Sequence, residues 1–256
     1  MKKLLLFIPL LFLLAFISAE RAAAATTVTV SAAASLKDAL AEIQGLYAVQ
    51  EPGTVLQFNF GASGMLQRQI EEGAPVDLFI SAGEKQMAAL EQKGLLVPGS
   101  RSDLLGNELV LVVAREKVGQ IKGFSDLAGA AATLSIGQPE SVPSGTYARE
   151  TLAALKLWEK VKARIIFAKD VRQVATYVES GNVDAGLVYR SDTVVLKSSV
   201  QVAVAPPGSH RPIVYPVAVI KGGSNAVAAA RFVRFLGSPA AGQVFARHRF
   251  IPLQGR

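Results

Sequence analysis

The chain has 256 residues, half of them hydrophobic, with no cysteine and a formal net charge of +7. This size suits two compact lobes or one large domain, and the lack of cysteine excludes disulfides and thiolate metal sites. No dense basic cluster with interleaved aromatic residues occurs, so the sequence predicts no nucleic-acid binding. A mild positive field can attract anions, although scattered solubilising charge is the simpler explanation.

The first 25 residues have the pattern of a secretory signal peptide. A basic start at residues 1–3 precedes an apolar run at 4–17, and small residues at 22–25 offer a cleavage site. The apolar run is shorter than the ~20 residues that a membrane-spanning helix needs. We therefore expect cleavage after Ala25 and a periplasmic location. A lipoprotein needs a cysteine at its cleavage site, so we expect a released protein.

Strand-like and helix-like segments alternate after the leader. In the first half, strands are predicted at 27–31, 55–60 and 78–80, each followed by a helix; these helices carry Leu36 to Tyr47, Leu66 with Ile70, and Met87 with Leu90. In the second half, strands are predicted at 109–114, 134–136, 165–167, 185–189, 200–204 and 214–220, and helices at 144–157, 172–179, 224–236 and 240–248. This rhythm predicts parallel sheets with helical crossovers.

Two sets of α/β units predict two lobes. The strands at 109–114 and 214–220 stand where the chain could cross between them. We therefore expect residues 26–107 and 216–256 to form a first, discontinuous lobe and residues 108–215 to form a second.

Several predicted strands end in a small-residue turn that opens a helix. Ser35, with Asp38 three residues later, approximates a capping box; capping and anion binding are both consistent with this serine. Ser63 stands among glycines that allow close backbone approach to a ligand. Ser144 and Val171 follow similar turns, and Tyr189 ends a strand.

These positions predict a cleft between the lobes, because ligands in open α/β sheets sit outside the carboxyl ends of the strands. The groups offered are hydroxyls and backbone N–H groups, which donate hydrogen bonds. Helix N-termini add partial positive charge. Such a cleft suits a fully ionised oxyanion without requiring a buried lysine or arginine.

Eight segments carry a resemblance to a known family, and they occur in the same order over nearly the whole chain. They are AAASL (32–36), FGASG with RQI (60–70), GAPVDLFISA (73–82), LLGNELVLV (104–112), VPSGTYARETL (142–152), DVR (170–172), LVYRSD (187–192) and YPVAV (215–219). In these segments the sequence resembles the periplasmic molybdate-binding proteins of bacterial ABC importers.

The resemblance implies an α/β, type II periplasmic-binding fold: two Rossmann-like lobes joined by a hinge, with the ligand cleft between them. It implies a monomeric receptor, not an enzyme and without a cofactor, that captures molybdate or tungstate and delivers it to a membrane permease. Molybdenum would enter only within the oxyanion, with no direct protein–metal ligand.

The resemblance also assigns roles to the five cleft positions. Ser35 and Ser63 would bind the oxyanion through hydroxyl and backbone N–H, Ser144 and Val171 through backbone N–H, and Tyr189 through its phenolic hydroxyl. The sequence departs from the family where Gly64 and Met65 replace a run of hydroxyl residues. It also carries a serine at position 144, where an alanine would serve a backbone contact equally well.

Three other functions remain open from the sequence: a receptor for sulfate, thiosulfate or another oxyanion, an α/β hydrolase using the same cleft, and a signalling receptor that docks on a sensor. The hydrolase is disfavoured because the sequence has no G-x-S-x-G elbow. His210 and His248 are the only histidines, and neither has metal-ligand spacing to another ligand residue.

Overall fold

The computed structural model describes residues 25–129 and 132–253, so the predicted signal peptide lies outside the described residues except for Ala25. The strands are β1 (Thr26–Ala33), β2 (Thr54–Gly61), β3 (Leu78–Ile80), β4 (Ser102–Asn107), β5 (Leu109–Ala114), β6 (Leu134–Gly137), β7 (Ile165–Ala168), β8 (Ala185–Tyr189), β9 (Ser199–Val204), β10 (Ile213–Val219) and β11 (Ile251–Pro252). The α-helices are α1 (Lys37–Gln50), α2 (Ser63–Glu71), α3 (Glu84–Gln92), α4 (Pro143–Ala154), α5 (Trp158–Val161), α6 (Val171–Glu179), α7 (Ala226–Leu236) and α8 (Pro239–Arg247).

The strands form two sheets, one in each lobe, which confirms the expected two-lobed α/β architecture. The first sheet has the order β11-β4-β10-β3-β1-β2, and the second has the order β7-β6-β8-β5-β9. In the first sheet β1 pairs in parallel with β2 and β3, and in the second β6 pairs in parallel with β7 and β8.

Both sheets are mixed, whereas the alternation of strands and helices predicted parallel sheets. Strand β10 runs antiparallel to β3 and β4, and β5 runs antiparallel to β8 and β9. These strands enter their sheets through loops or directly from another strand, without a helical crossover, and antiparallel pairing needs none. The alternation of strands and helices therefore predicted the parallel strand pairs of each sheet but not the antiparallel pairs.

Two strands, β4 and β11, were not predicted from the sequence. Strand β4 contains Ser102, Asp103, Gly106 and Asn107, residue types that are depleted in strands. It forms because β10 and β11 pair with its two edges. Strand β11 has only two residues, too few for a pattern.

The chain passes twice between the sheets. Strand β4 ends at Asn107 and β5 begins at Leu109, so Glu108 alone separates the two strands. The return runs through residues 205–212, between β9 and β10. Strand β10 pairs with β4 from Ile213 onwards, three residues before the boundary expected from the sequence.

The helices pack on the sheets through apolar faces at helical spacing. Helix α7 buries Ala228, Phe232 and Phe235 on one face. The Tyr47 ring of α1 lies 4.9 Å from the Phe232 ring and 5.1 Å from the Phe235 ring. This contact joins α1 and α7 of the first lobe, although the two helices are far apart in sequence.

The first turn of α4 lies directly against the end of β6, and a glycine makes this possible. A Cβ atom at Gly145 would stand 1.9 Å from the carbonyl oxygen of Gly137. Close packing of α4 on β6 therefore requires glycine at this position. The same packing determines how far the neighbouring Ser144 lies from the sheet.

We expect Gly145→Ala to lower the free energy of unfolding by about 1–3 kcal/mol, the usual cost of overpacking, because backbone must move to admit the methyl group. Gly45→Ala is the control, since nothing lies within 4 Å of a Cβ at this position in α1. Alanine there should stabilise by up to ~1 kcal/mol through helix propensity. Urea unfolding of both variants measures the difference, and equal effects would contradict the packing argument.

Candidate anion-binding site

A small pocket with a cavity volume of about 10 Å³ lies between the two lobes. It is lined by Ala33, Ala34, Ser35, Gly61, Ala62, Ser63 and Ala82 from the first lobe, and by Val142, Pro143, Ser144, Asp170, Val171 and Tyr189 from the second. All five residues singled out in the sequence therefore line one space. A cavity of this size holds about one water molecule, so the pocket suits a ligand of a few atoms at most.

Ser63 is the first residue of α2 and is almost completely buried. Its Oγ accepts a hydrogen bond from the backbone N–H of Ala82 at 2.9 Å. Because the oxygen is held as an acceptor, the hydroxyl hydrogen remains to be donated to a ligand. The N–H groups in the first turn of a helix also lack intrahelical partners.

Ser35 is not the N-cap residue that the sequence suggested. It lies inside a 3-10 turn, Ala34–Leu36, which Ala33 precedes without a side-chain cap. Strand β1 continues to Ala33 and leads straight into this turn, and α1 begins only at Lys37. The capping-box expectation for Ser35 and Asp38 is therefore wrong.

Instead, Ser35 belongs to a chain of buried polar groups. Its Oγ lies 2.9 Å from the Tyr215 hydroxyl, to which the Asn107 amide donates at 3.3 Å. Burial raises the pKa of Tyr215 well above its usual value of 10, so this phenol keeps its proton. With Tyr215 donating to Ser35, the Ser35 hydroxyl is free to donate into the pocket.

Tyr215 and Asn107 were not recognised as site residues from the sequence. Both fall in segments that carried the family resemblance, but neither lines the pocket. Their contribution depends on contacts over 180 and 108 positions of the chain, which no local pattern reveals.

The second lobe presents the N-termini of α4 and α6. Ser144 is the second residue of α4 and is fully buried, and its Oγ has no hydrogen-bond partner among the described atoms. Val171 is the first residue of α6. Asp170, the N-cap of α6, also lines the pocket, but its carboxylate accepts a hydrogen bond from the Gln173 N–H at 2.9 Å. Capping therefore occupies this carboxylate.

Tyr189 stands at the end of β8, at the edge of the second lobe. Its hydroxyl donates to the Ala82 carbonyl of the first lobe at 3.4 Å, a long hydrogen bond. Its ring packs edge-to-face against Tyr147 and Tyr215. Burial raises the pKa of Tyr189 well above 10, so this hydroxyl also remains a donor at physiological pH.

The lobes also meet directly beside the pocket. The backbone N–H of Gly64 donates to the Ser141 carbonyl of the second lobe at 3.0 Å. A Cβ at Gly64 would lie 2.6 Å from that oxygen, so a residue with a side chain could not make this approach. The departure from the family pattern at Gly64 thus gives the lobes a backbone contact.

Neither histidine is placed to activate a pocket serine. His210 Nδ1 lies 2.6 Å from the Arg211 carbonyl, and His248 Nε2 lies 3.0 Å from the Glu42 carboxylate. Over residues 25–129 and 132–253, no three acidic or histidine residues are grouped to hold a metal ion. In the same part of the chain, the helices are all too short or too polar to span a bilayer.

Comparisons with known proteins agree with this geometry. The family model of bacterial extracellular solute-binding proteins matches residues 28–251. A Bacillus subtilis protein named as an ABC transporter substrate-binding lipoprotein is 44% identical, with 88% of this chain and 86% of that protein covered. The molybdate-binding protein of Haemophilus influenzae is 42% identical, with 89% and 91% covered.

A solved structure extends the likeness to three dimensions. The periplasmic molybdate-binding protein of Azotobacter vinelandii matches with a TM-score of 0.80 and 26% identity, over 88% of this chain and 98% of that one. These are solute-binding proteins and not enzymes. The chain belongs to the bacterial extracellular solute-binding proteins, and within them to the family of the molybdate-binding proteins of ABC transporters.

Proposed function

We propose that the protein captures molybdate, and also tungstate, in the pocket between its lobes and delivers the anion to the permease of an ABC importer. The observation that supports this proposal is that five donor-bearing residues from both lobes line one small pocket. Ser35 and Ser63 offer hydroxyls, and Ser144 and Val171 offer backbone N–H groups. Tyr189 would give up its long hydrogen bond to the Ala82 carbonyl and donate to the ligand instead. The family of molybdate-binding proteins supplies the identity of the anion.

The chemistry of the pocket fits an anion that carries no proton. Molybdate and tungstate are fully ionised near neutral pH and only accept hydrogen bonds, whereas a protonated phosphate also needs an acceptor. The one pocket carboxylate, Asp170, is already engaged in capping α6. Hydrogen bonds to a charged group contribute ~1.5–3 kcal/mol each, so several donors can hold a dianion without a lysine or arginine.

Binding would proceed by closure of the lobes. In this mechanism the anion first meets Ser35 and Ser63, and the lobes then bend at Glu108 and residues 205–212 to bring Ser144, Val171 and Tyr189 onto it. The ligand favours the closed state by the contacts that only this state provides. We place the first lobe at residues 26–107 and 213–253 and the second at 108–212, close to the division expected from the sequence.

The proposed location is the periplasm, reached through a signal peptide at residues 1–25, with the protein acting there as a monomer. The Bacillus subtilis relative is named as a lipoprotein. This chain contains no cysteine to carry a lipid, so we propose that it is released and meets its permease by diffusion.

The direct test is calorimetric titration of ligand-free protein, from Thr26 onwards, with molybdate, tungstate, sulfate and phosphate. We expect one-to-one binding of molybdate and tungstate, with sulfate and phosphate at least about a hundredfold weaker, or ~2.8 kcal/mol. Preference for sulfate would reassign the protein to the sulfate receptors. No heat with any of the four anions would refute the oxyanion proposal.

Single hydroxyl deletions test the assignment of donors. Ser35→Ala and Tyr189→Phe should each weaken molybdate binding by about 10–150-fold, since each removes one hydrogen bond to a charged ligand, worth ~1.5–3 kcal/mol. Ser180→Ala and Tyr177→Phe are matched controls, because both side chains lie on the second lobe away from the pocket. Affinities of the two pocket variants equal to those of the controls would exclude these residues from the site.

Gly64→Ala tests the backbone contact between the lobes. Because the added methyl group would stand 2.6 Å from the Ser141 oxygen, closure should be impeded and molybdate affinity should fall about tenfold or more, at least ~1.4 kcal/mol. The unfolding midpoint without ligand should change little, since alanine suits the helix. Met65→Ala, at the exposed neighbouring residue, should keep full affinity, and equal affinities of the two variants would contradict this role.

A further inference from the structure

One arginine beside the pocket joins the two lobes without facing the proposed ligand. Arg172 is the second residue of α6, in the second lobe. Its Nη2 donates to the Ser35 carbonyl at 3.1 Å and lies 2.6 Å from the Asp38 carboxylate. Ser35 and Asp38 both belong to the first lobe, so the guanidinium reaches across the cleft to two groups.

The same guanidinium is anchored within its own lobe by a buried carboxylate. Arg172 Nε lies 3.0 Å from Asp192 Oδ1, and the Asp192 side chain has no exposed surface. The other Asp192 oxygen accepts a hydrogen bond from the Tyr189 backbone N–H at 3.1 Å. The buried ion pair therefore ties Arg172 to the second lobe at the point where its guanidinium contacts the first lobe.

This arrangement connects Arg172 to three of the proposed ligand residues. Arg172 binds the carbonyl of Ser35, directly follows Val171, and shares Asp192 with Tyr189. With one cation between two carboxylates, the group brings no net positive charge to the pocket. Its contribution is positional and does not consist of charge attraction to the anion.

We propose that Arg172 is a positioning residue that fastens the closed state, with Asp192 as its anchor and Asp38 as its partner on the opposite lobe. Contacts that exist only when the lobes meet favour the closed state, and charge-assisted hydrogen bonds are the stronger kind. Arg172 therefore slows release of the captured anion. This inference rests on the proposed function, because release is measured with molybdate.

The test measures molybdate dissociation and association by stopped-flow for Arg172→Gln, Asp38→Asn and the double variant. We expect the dissociation rate to rise about five- to tenfold in Arg172→Gln and less in Asp38→Asn, with association nearly unchanged. The double variant should release no faster than Arg172→Gln, because one contact cannot be lost twice. Multiplying effects, or an unchanged dissociation rate in both single variants, would overturn the proposal.

Two further variants guard against a general loss of structure. Arg172→Gln leaves Asp192 buried without its partner, which risks destabilising the fold; Asp38→Asn avoids this because the Asp38 side chain is 40% exposed. Arg101→Gln is the control, since Arg101 pairs with Glu91 within the first lobe. It should release molybdate at the wild-type rate; release as fast as in Arg172→Gln would overturn the proposal.

A second measurement separates failure of this inference from failure of the proposed function. The chain has no cysteine, so Lys93→Cys and Lys162→Cys place one spin label on each lobe without interference. The ligand-free distance distribution should shift to longer distances in Arg172→Gln and Asp38→Asn. If the wild type binds no molybdate, the proposed function fails, and identical distance distributions would then also refute the fastening role.

Discussion

Under the proposed function the site answers to one constraint: a buried anion must find a hydrogen-bond donor in every direction and no unpaired acceptor. Removing a charged group from water is costly unless polar partners replace the water. The pocket meets this requirement with serine hydroxyls, a tyrosine hydroxyl and the first N–H groups of helices. Each group reaches the pocket because a strand ends and a helix begins there, so the alternation of the fold and the chemistry of the site have the same origin.

Burial keeps these donors in their donating form. The pKa values of Tyr189 and Tyr215 are raised because the low-dielectric interior disfavours the phenolate. Burial likewise raises the pKa of Asp192 to about 6, against the opposing pull of Arg172. This carboxylate is still mostly ionised at neutral pH and can hold the guanidinium. The pocket hydroxyls thus stay neutral, whereas Arg172 and Asp192 stay charged. Both conditions serve the proposed binding.

The sequence predicted the elements with local signatures and missed those that depend on distant partners. Strands at Leu78–Ile80 and Ala185–Tyr189 have the predicted bounds, because continuous apolar runs between turn residues are readable locally. Strand β4 reads as a turn and forms only through its pairing with β10 and β11. The five pocket positions were found because turns at strand ends have a recognisable composition. Tyr215 and Arg172 act through contacts at separations of 180 and 137 residues, which single-sequence reasoning does not reach.

The place of β10 in the first sheet also governs when that lobe can fold. This strand lies between β3 and β4 in the sheet, although more than a hundred residues separate it from β4 along the chain. Until residues 213–219 emerge during synthesis, the first sheet lacks an interior strand and its apolar faces stay incomplete. We expect the first lobe of the nascent chain to remain unfolded until then, and an unfolded polypeptide is the form that can be threaded through a narrow export channel.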